Sequence, residues 1–418
     1  WQYFEGQGDA ERALAAMKDA SRYTRGHLSR DAVHALYGGA VTLSASRMDM
    51  ARSCHFAYFM RYGLKARERT GAGFDAPQIG TFVHDVMEHT LRQAKECGGL
   101  HTLSKDKLHA LVRASIEEYI DRVLPDLCEK SARFRYLFNR LCATVERIMD
   151  EVSEELQSSD FEPLAFELEF GADGQLPAIT IREENGTARV VGKVDRVDGW
   201  LHDGKLYLRV VDYKTGKKSF DLAELRYGLG LQMLLYLFTL KEEGQMLFGG
   251  HEIVPAGVLY TPAREPMLRC ARDTEPETIE KALKKELRRS GMVLEDPAVL
   301  QAMEHSALES PCYLPIAVKR DGAVTGSLAS AEQLGKLSKY VDHILHEITQ
   351  EVFAGNIDAD PYARTPQQSA CTYCEFASAC HFENGCGSDR MEYIKATKND
   401  EFWQYIDEVN GEGAHENG

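Results

Sequence analysis

The chain of 418 residues carries 65 acidic against 49 basic side chains, a net charge of −16, with 44% apolar residues and 10 cysteines. That is the composition of a globular protein with a sizeable core, and no stretch approaches the roughly 20 consecutive apolar residues of a membrane-spanning helix, so no membrane partner is expected. The acidic balance argues against a protein that coats nucleic acid indiscriminately, because such binding depends on a basic surface that releases counterions.

The chain opens at Trp1 without a secretory signal and reads as part of something longer. Ten cysteines are too sparse for a small secreted disulfide scaffold, so a reducing cytoplasm is the expected compartment. Length allows two or three folding units or one elaborated α/β domain.

In chain order, Ala10 to Arg25 reads as an amphipathic helix through Leu14, Met17 and Tyr23, and Leu43-Ser44-Ala45-Ser46 starts a helix over Met48 to Tyr62. Gly80-Thr81-Phe82-Val83-His84 follows, with the glycine permitting close approach and His84 one turn into a helix marked by Val83, Val86 and Met87. Helical patterns dominate to about Ser158. Among them Lys130 to Arg147 holds five basic residues and one acidic one, interleaved with aromatics at Phe134, Tyr136 and Phe138. Such interleaving suits single-strand binding, where bases stack and phosphates pair with cations; a solvated basic helix face has the same pattern.

From Leu164 the period changes to two. Phe166 to Phe170 alternates as a strand, Arg189 to Asp195 is a second, and Lys205 to Tyr213 a third after the turn His202-Asp203-Gly204. Leu222 to Glu243 returns to helix, Ala256 to Tyr260 is a buried strand, and Arg264 to Leu300 and Ser330 to Phe353 read as helical. The expected segments are a helical extension (1–42), a helical region with the first clustered cysteine and the motif histidine (43–160), a core sheet with a Gln/Tyr helix (161–265), a second helical region (266–355) and a cysteine-bearing tail (356–418). From Glu383 onward that tail carries a net charge of −6.

In Val210-Val211-Asp212-Tyr213-Lys214 the strand period places Asp212 and Lys214 on one face and Val211 and Tyr213 on the other. Gly192-Lys193-Val194-Asp195 ends a strand able to pair with it. Two carboxylates from adjacent strands make a hard-oxygen site for Mg²⁺ or Mn²⁺, which His84 could complete. A nearby ammonium could then orient a water attacking phosphorus. On the apolar helix Leu229 to Leu240, Gln232 and Tyr236 share one face four residues apart and need a polar partner.

Taken together, His84, Asp195, Asp212-Tyr213-Lys214 and Gln232-Met233-Leu234-Leu235-Tyr236 resemble the RecB-like branch of the PD-(D/E)XK nucleases, whose motifs run helix His, strand Asp, strand Asp-x-Lys, helix Gln-x-x-x-Tyr. The resemblance implies an α/β fold with a mixed central sheet flanked by helices and a metal-dependent DNA nuclease. It further implies that His84, Asp195 and Asp212 hold the metal with the Val211 or Tyr213 carbonyl, that Lys214 handles the attacking water, and that Gln232 and Tyr236 position the strand or the lysine.

Cys371-Thr372-Tyr373-Cys374 followed by Cys380 forms a C-x2-C-x5-C array, with Cys54 far upstream. By spacing alone, Cys371, Cys374, Cys380 and Cys386 form a local zinc site. Nucleases of this branch with an iron–sulfur staple place one cysteine before the core and three after it, so the resemblance implies a [4Fe–4S] cluster on Cys54, Cys371, Cys374 and Cys380, with Cys386 outside. Such a cluster would close a loop of more than 300 residues.

Ser44 to Cys54, Arg61-Tyr62-Gly63-Leu64, Arg226-Tyr227-Gly228-Leu229, Pro255 to Tyr260 and Cys374-Glu375-Phe376 resemble the carboxy-terminal nuclease regions of bacterial AddAB-type helicase–nucleases, over about Val41 to Tyr405. His55 departs from the proline common there. This implies degradation of the 5′-terminated single strand of DNA during double-strand break processing, with an AddA-like helicase–nuclease subunit as partner. No G-x-x-x-x-G-K-[ST] phosphate loop is present, so ATP hydrolysis by this chain is not expected. The alternatives are a freestanding iron–sulfur single-strand exonuclease and a catalytically silent DNA-binding scaffold.

Overall fold

The structure, a computed structural model, describes residues 8–21, 25–67, 76–171, 174–271 and 273–411. Its centre is a six-stranded mixed sheet whose strands lie side by side in chain order: β1 (Glu162–Phe170), β2 (Gly192–His202), β3 (Lys205–Lys214), β4 (Glu252–Pro262), β5 (Ser290–Leu294) and β6 (Leu328–Ala329). Strands β1, β2 and β3 form an antiparallel meander, β4 runs parallel to β3, β5 antiparallel to β4, and β6 parallel to β5. Asp203 and Gly204 take φ of 48° and 77°, the left-handed pair that a two-residue hairpin turn requires, which makes the β2–β3 connection as tight as the Asp-Gly signal predicts.

The helices that frame the sheet are α1 (Ala45–Ser53), α2 (Ala76–Glu96), α3 (Lys105–Val123), α4 (Ala132–Gln157), α5 (Gln232–Glu243) and α6 (Ala331–Phe353). Helices α2, α3 and α4 pack on one another, while α5 packs against β3, β4 and α6. Helix α5 is apolar on nearly every side, as its run Met233 to Leu240 demands of a helix enclosed by a sheet and a second helix. One continuous hydrophobic core joins residues from Val33 to Ile406.

The face of β3 opposite Asp212 contacts α4 through charge. Arg196, Asp198 and Arg209 are fully buried, and Glu155 and Arg289 nearly so. Arg209 bonds Asp198 at 2.9 Å and pairs with Glu155 at 3.2 Å, Arg289 pairs with Glu155 at 2.6 Å, and Arg196 bonds Asp198 and the Tyr213 hydroxyl at 3.0 and 2.6 Å. Mutual pairing is what makes burial of these ions tolerable.

Several elements differ from their sequence reading. The first helix spans Asp9–Ser21, and Tyr23 lies outside the described residues. The stretch read as helical from Arg264 to Leu300 contains β5, because Gly291-Met292-Val293-Leu294 is a short apolar run that periodicity cannot separate from helix. The strand read from Arg189 to Asp195 is two: Gly186–Val190 belongs to a small separate sheet, and Asp195 sits near the start of β2 rather than at a strand end. Leu222 to Glu243 breaks at Tyr227–Leu231, where Gly228 and Gly230 take positive φ, so Gln232 opens α5. His84 lies two turns into α2, and a Cβ on Gly80 would meet no described atom within 4 Å, so close approach is not the reason for that glycine.

Candidate active site

The ladder register builds the site. Arg196 faces Val211 across β2–β3, and continuing that register brings Asp195 opposite Asp212. Across β1–β2, Phe166 faces Arg196 and Leu168 faces Val194, which places Glu167 on the other side of Asp195. Three carboxylates on three adjacent strands therefore share one sheet face. Glu167 holds a φ of +49°, outside the range ordinary for a strand residue, a strain of the kind that accumulates at functional sites.

Helix α2 delivers His84 to the row. Its Nδ1 lies 3.4 Å from Asp195 Oδ1 and 3.9 Å from Glu167 Oε1, and its Nε2 lies 2.9 Å from the Tyr213 carbonyl oxygen. Burial alone would lower the pKa of His84, but the surrounding carboxylates of Asp195, Asp212 and Glu167 raise it to about 9. The Asp212 carboxyl is raised to about 6, by burial first and by the neighbouring Asp195 charge second, against the opposing pull of Lys214. Glu167 is also raised by burial, although Lys193 Nζ at 2.6 Å holds one of its oxygens. Lys214 Nζ stands 2.7 Å from Asp212 Oδ2 and over the Tyr260 ring at 5.7 Å.

These donors suit a hard divalent cation. Ligand atoms of His84, Glu167 and Asp195 lie within 4.8 Å of one another, and Asp212 on the next strand adds a buried carboxylate that Lys214 holds at Oδ2. Of the sequence-expected site residues, His84, Asp195, Asp212, Lys214 and the Tyr213 carbonyl come together here. Glu167 is an addition that sequence reasoning missed, since Glu169 shares its alternation and only the register with β2 selects between them.

Gln232 and Tyr236 lie beside this row. Gln232 Nε2 donates to the Tyr236 hydroxyl at 3.1 Å, and both line an open groove of about 620 Å³ with Ser44, Ser46, Glu169 and Lys193. Gly192 at its floor has no room for a side chain, since a Cβ would stand 2.6 Å from the Tyr236 ring and 2.5 Å from the Phe170 ring.

Cys54, Cys371, Cys374 and Cys380 line a single cavity of about 660 Å³ that Cys386 does not reach. The two ends of the chain are sewn together around it. Phe56 N donates to Asp358 O at 2.9 Å, His55 N to Asp360 Oδ1 at 2.9 Å, and Arg61 pairs with Glu375 at 2.9 Å. Arg25 reaches Cys380 O at 2.8 Å while its buried guanidinium pairs with Asp389. Burial pushes the Cys54 thiol up to about 12, and none of the ten cysteines is in a disulfide.

Residues 42–381 match the PD-(D/E)XK nuclease superfamily. The chain belongs to that superfamily. Members of that superfamily are nucleases that use divalent metals. The chain is also similar to proteins named as the B component of an ATP-dependent helicase/deoxyribonuclease. It is 30% identical over 97% of its length to the one from Ruminiclostridium cellulolyticum, 32% over 96% to that from Acetivibrio thermocellus, and 32% over 92% to that from Caldanaerobacter subterraneus subsp. tengcongensis. It spans 36%, 35% and 33% of those relatives. Among the described residues no helix is long and apolar enough to cross a membrane.

Proposed function

We propose that this chain is the nuclease module of an AddB-type protein: a Mg²⁺- or Mn²⁺-dependent deoxyribonuclease that hydrolyses the 5′-terminated single strand during double-strand break processing. In this reading it works in the cytoplasm with an AddA-like helicase–nuclease partner. The convergence of His84, Asp195, Asp212 and Lys214 on one sheet face is the observation that carries the reading.

His84, Glu167, Asp195, Asp212 and the Tyr213 carbonyl would hold the ion. When bound, it supplies Lewis-acid stabilisation of charge building on the phosphate. Lys214 Nζ donates a hydrogen bond that orients the attacking water, whose oxygen bonds to phosphorus as the bond to the leaving sugar oxygen breaks; the water's proton passes to solvent and the leaving oxygen takes one from solvent. Asp212 keeps that ammonium aimed from 2.7 Å. Gln232 and Tyr236, tied to each other, position the strand in the groove beside Lys193. The four cavity cysteines would carry a [4Fe–4S] cluster that clamps residues 54–61 to the tail.

Cleavage of labelled single-stranded DNA tests the assignment. Lys214→Ala and Asp212→Ala should each lose several powers of ten in rate, on the order of 4 kcal/mol or more, while single-strand binding measured in Ca²⁺ stays near the parent value. Activity of Lys214→Ala within about tenfold of the parent would sink the site. Efficient digestion of blunt duplex by this chain alone, without ATP, would favour a freestanding exonuclease.

A further inference from the structure

Helix α4 turns two different sides to its surroundings. Phe138 is buried against Phe82 at 5.0 Å, two residues from His84 in α2. Arg133, Tyr136, Leu137 and Arg140 recur at the i, i+3, i+4, i+7 spacing of one helical stripe. That stripe is turned to solvent, with Tyr136 63% and Leu137 51% exposed.

Its position is set by the end of the sheet. Lys214 O accepts from Ala263 N at 2.8 Å just beyond β4, Arg147 of α4 bonds Arg264 O at 3.2 Å, and Arg140 pairs with Glu265 at 2.9 Å. The stripe thus starts beside Glu265, two residues past the Ala263 amide that bonds Lys214 O, and runs about 10 Å further along the helix from Arg140 to Arg133. Among the described residues neither Arg133 nor Arg135 has an ion-pair partner, and the Arg140–Glu265 pair is exposed on both sides, so a phosphate can replace it at little cost.

We infer that this face of α4 is the track along which single-stranded DNA approaches the carboxylate row, with Arg133 and Arg140 on phosphates and Tyr136 stacked on a base. The inference rests on the nuclease reading for its destination. Charge complementarity selects the occupant: in a chain of net charge −16, the segment from Lys130 to Arg147 carries five basic residues and one acidic one. Exposed aromatic surface between cations is the chemistry that holds unpaired bases without regard to sequence.

The test compares the parent with an Arg133→Ala/Tyr136→Ala double variant, both checked for an unchanged melting temperature. Anisotropy of a fluorescent oligothymidylate in Ca²⁺ should show affinity about tenfold or more weaker, with a salt slope shallower by about 0.7 for the lost phosphate contact. Hydrolysis of bis(p-nitrophenyl) phosphate in Mn²⁺, which needs only the metal site, should be unchanged. Unaltered oligothymidylate affinity and slope would overturn the inference. So would normal DNA binding with lost association to a helicase partner, which would make the stripe a protein interface. Failure of the parent to hydrolyse the small diester would count against the nuclease reading instead, and the comparison in Ca²⁺ would still decide the track.

Discussion

The amide of Tyr213 donates a 2.9 Å hydrogen bond to Asp195 Oδ2, so the peptide between Asp212 and Lys214 grips the carboxylate of the neighbouring strand. The same residue lies 2.9 Å from His84 Nε2 through its carbonyl and 2.6 Å from Arg196 Nη1 through its hydroxyl. Tyr213 therefore joins the carboxylate row on one side of the sheet to the buried ion network on the other. A site that must meet a scissile phosphate within a fraction of an ångström gains from such anchoring.

Glu167 should behave as a cation-binding residue. Its left-handed φ and its place opposite Asp195 predict that Glu167→Gln folds normally but binds Mn²⁺ at least about tenfold more weakly by electron paramagnetic resonance titration, with a parallel loss of cleavage at limiting metal. Parent-like Mn²⁺ affinity would place Glu167 outside the metal site.

Acidity should tune both metal binding and stability. Asp212, raised to about 6, and His84, raised to about 9, must both shed protons before they can hold a cation, so metal affinity should climb from below pH 6 towards pH 9. For the metal-free protein the sign is the opposite. The stability linked to protonated Asp212 is full below about 3.8 and is lost as pH rises through about 6; that linked to His84 imidazolium is full below about 6.5 and is lost through about 9. Near neutral pH with chelator, Asp212→Asn should therefore melt higher than the parent, by on the order of 1–3 kcal/mol, and the gain should vanish at pH 4 or with Mn²⁺. A lower melting temperature for Asp212→Asn in chelator would contradict a buried-charge cost at this position.

The cysteine cavity separates two metal chemistries. Cys54→Ala should lose iron, the broad visible absorption of an iron–sulfur cluster and thermal stability together, whereas Cys386→Ala should be mild. Stoichiometric zinc that survives Cys54→Ala and is lost with Cys386→Ala would establish the local four-cysteine site.

The ion network beneath the sheet should be costly to break from one side. Glu155→Ala would strand Arg289 without its carboxylate and leave Arg209 with Asp198 alone, and a loss of about 3–5 kcal/mol is expected in chemical denaturation. A loss below about 1 kcal/mol would mean that water reaches those guanidinium groups.

Local pattern carries much of this protein. The period of two set Asp212 and Lys214 on one face of β3, the Asp203-Gly204 turn set the β2–β3 hairpin, and the apolar run of α5 set a buried helix with Gln232 and Tyr236 on one side. These are legible because turn geometry and side-chain alternation depend on neighbouring residues alone. Strand β5 was not, since four apolar residues after a charged helix become a strand only when an edge of the sheet is there to pair with them.

What tertiary structure decided was partnership. Glu167 and Glu169 are equivalent in alternation, and only the pairing of β1 with β2 puts Glu167 against Asp195. By spacing alone Cys386 is the companion of Cys371, Cys374 and Cys380, and Cys54 stands more than 300 residues upstream. Only the docking of residues 54–61 onto the tail brings Cys54, and not Cys386, to the shared cavity, because proximity between residues more than 300 positions apart is settled by packing and not by spacing.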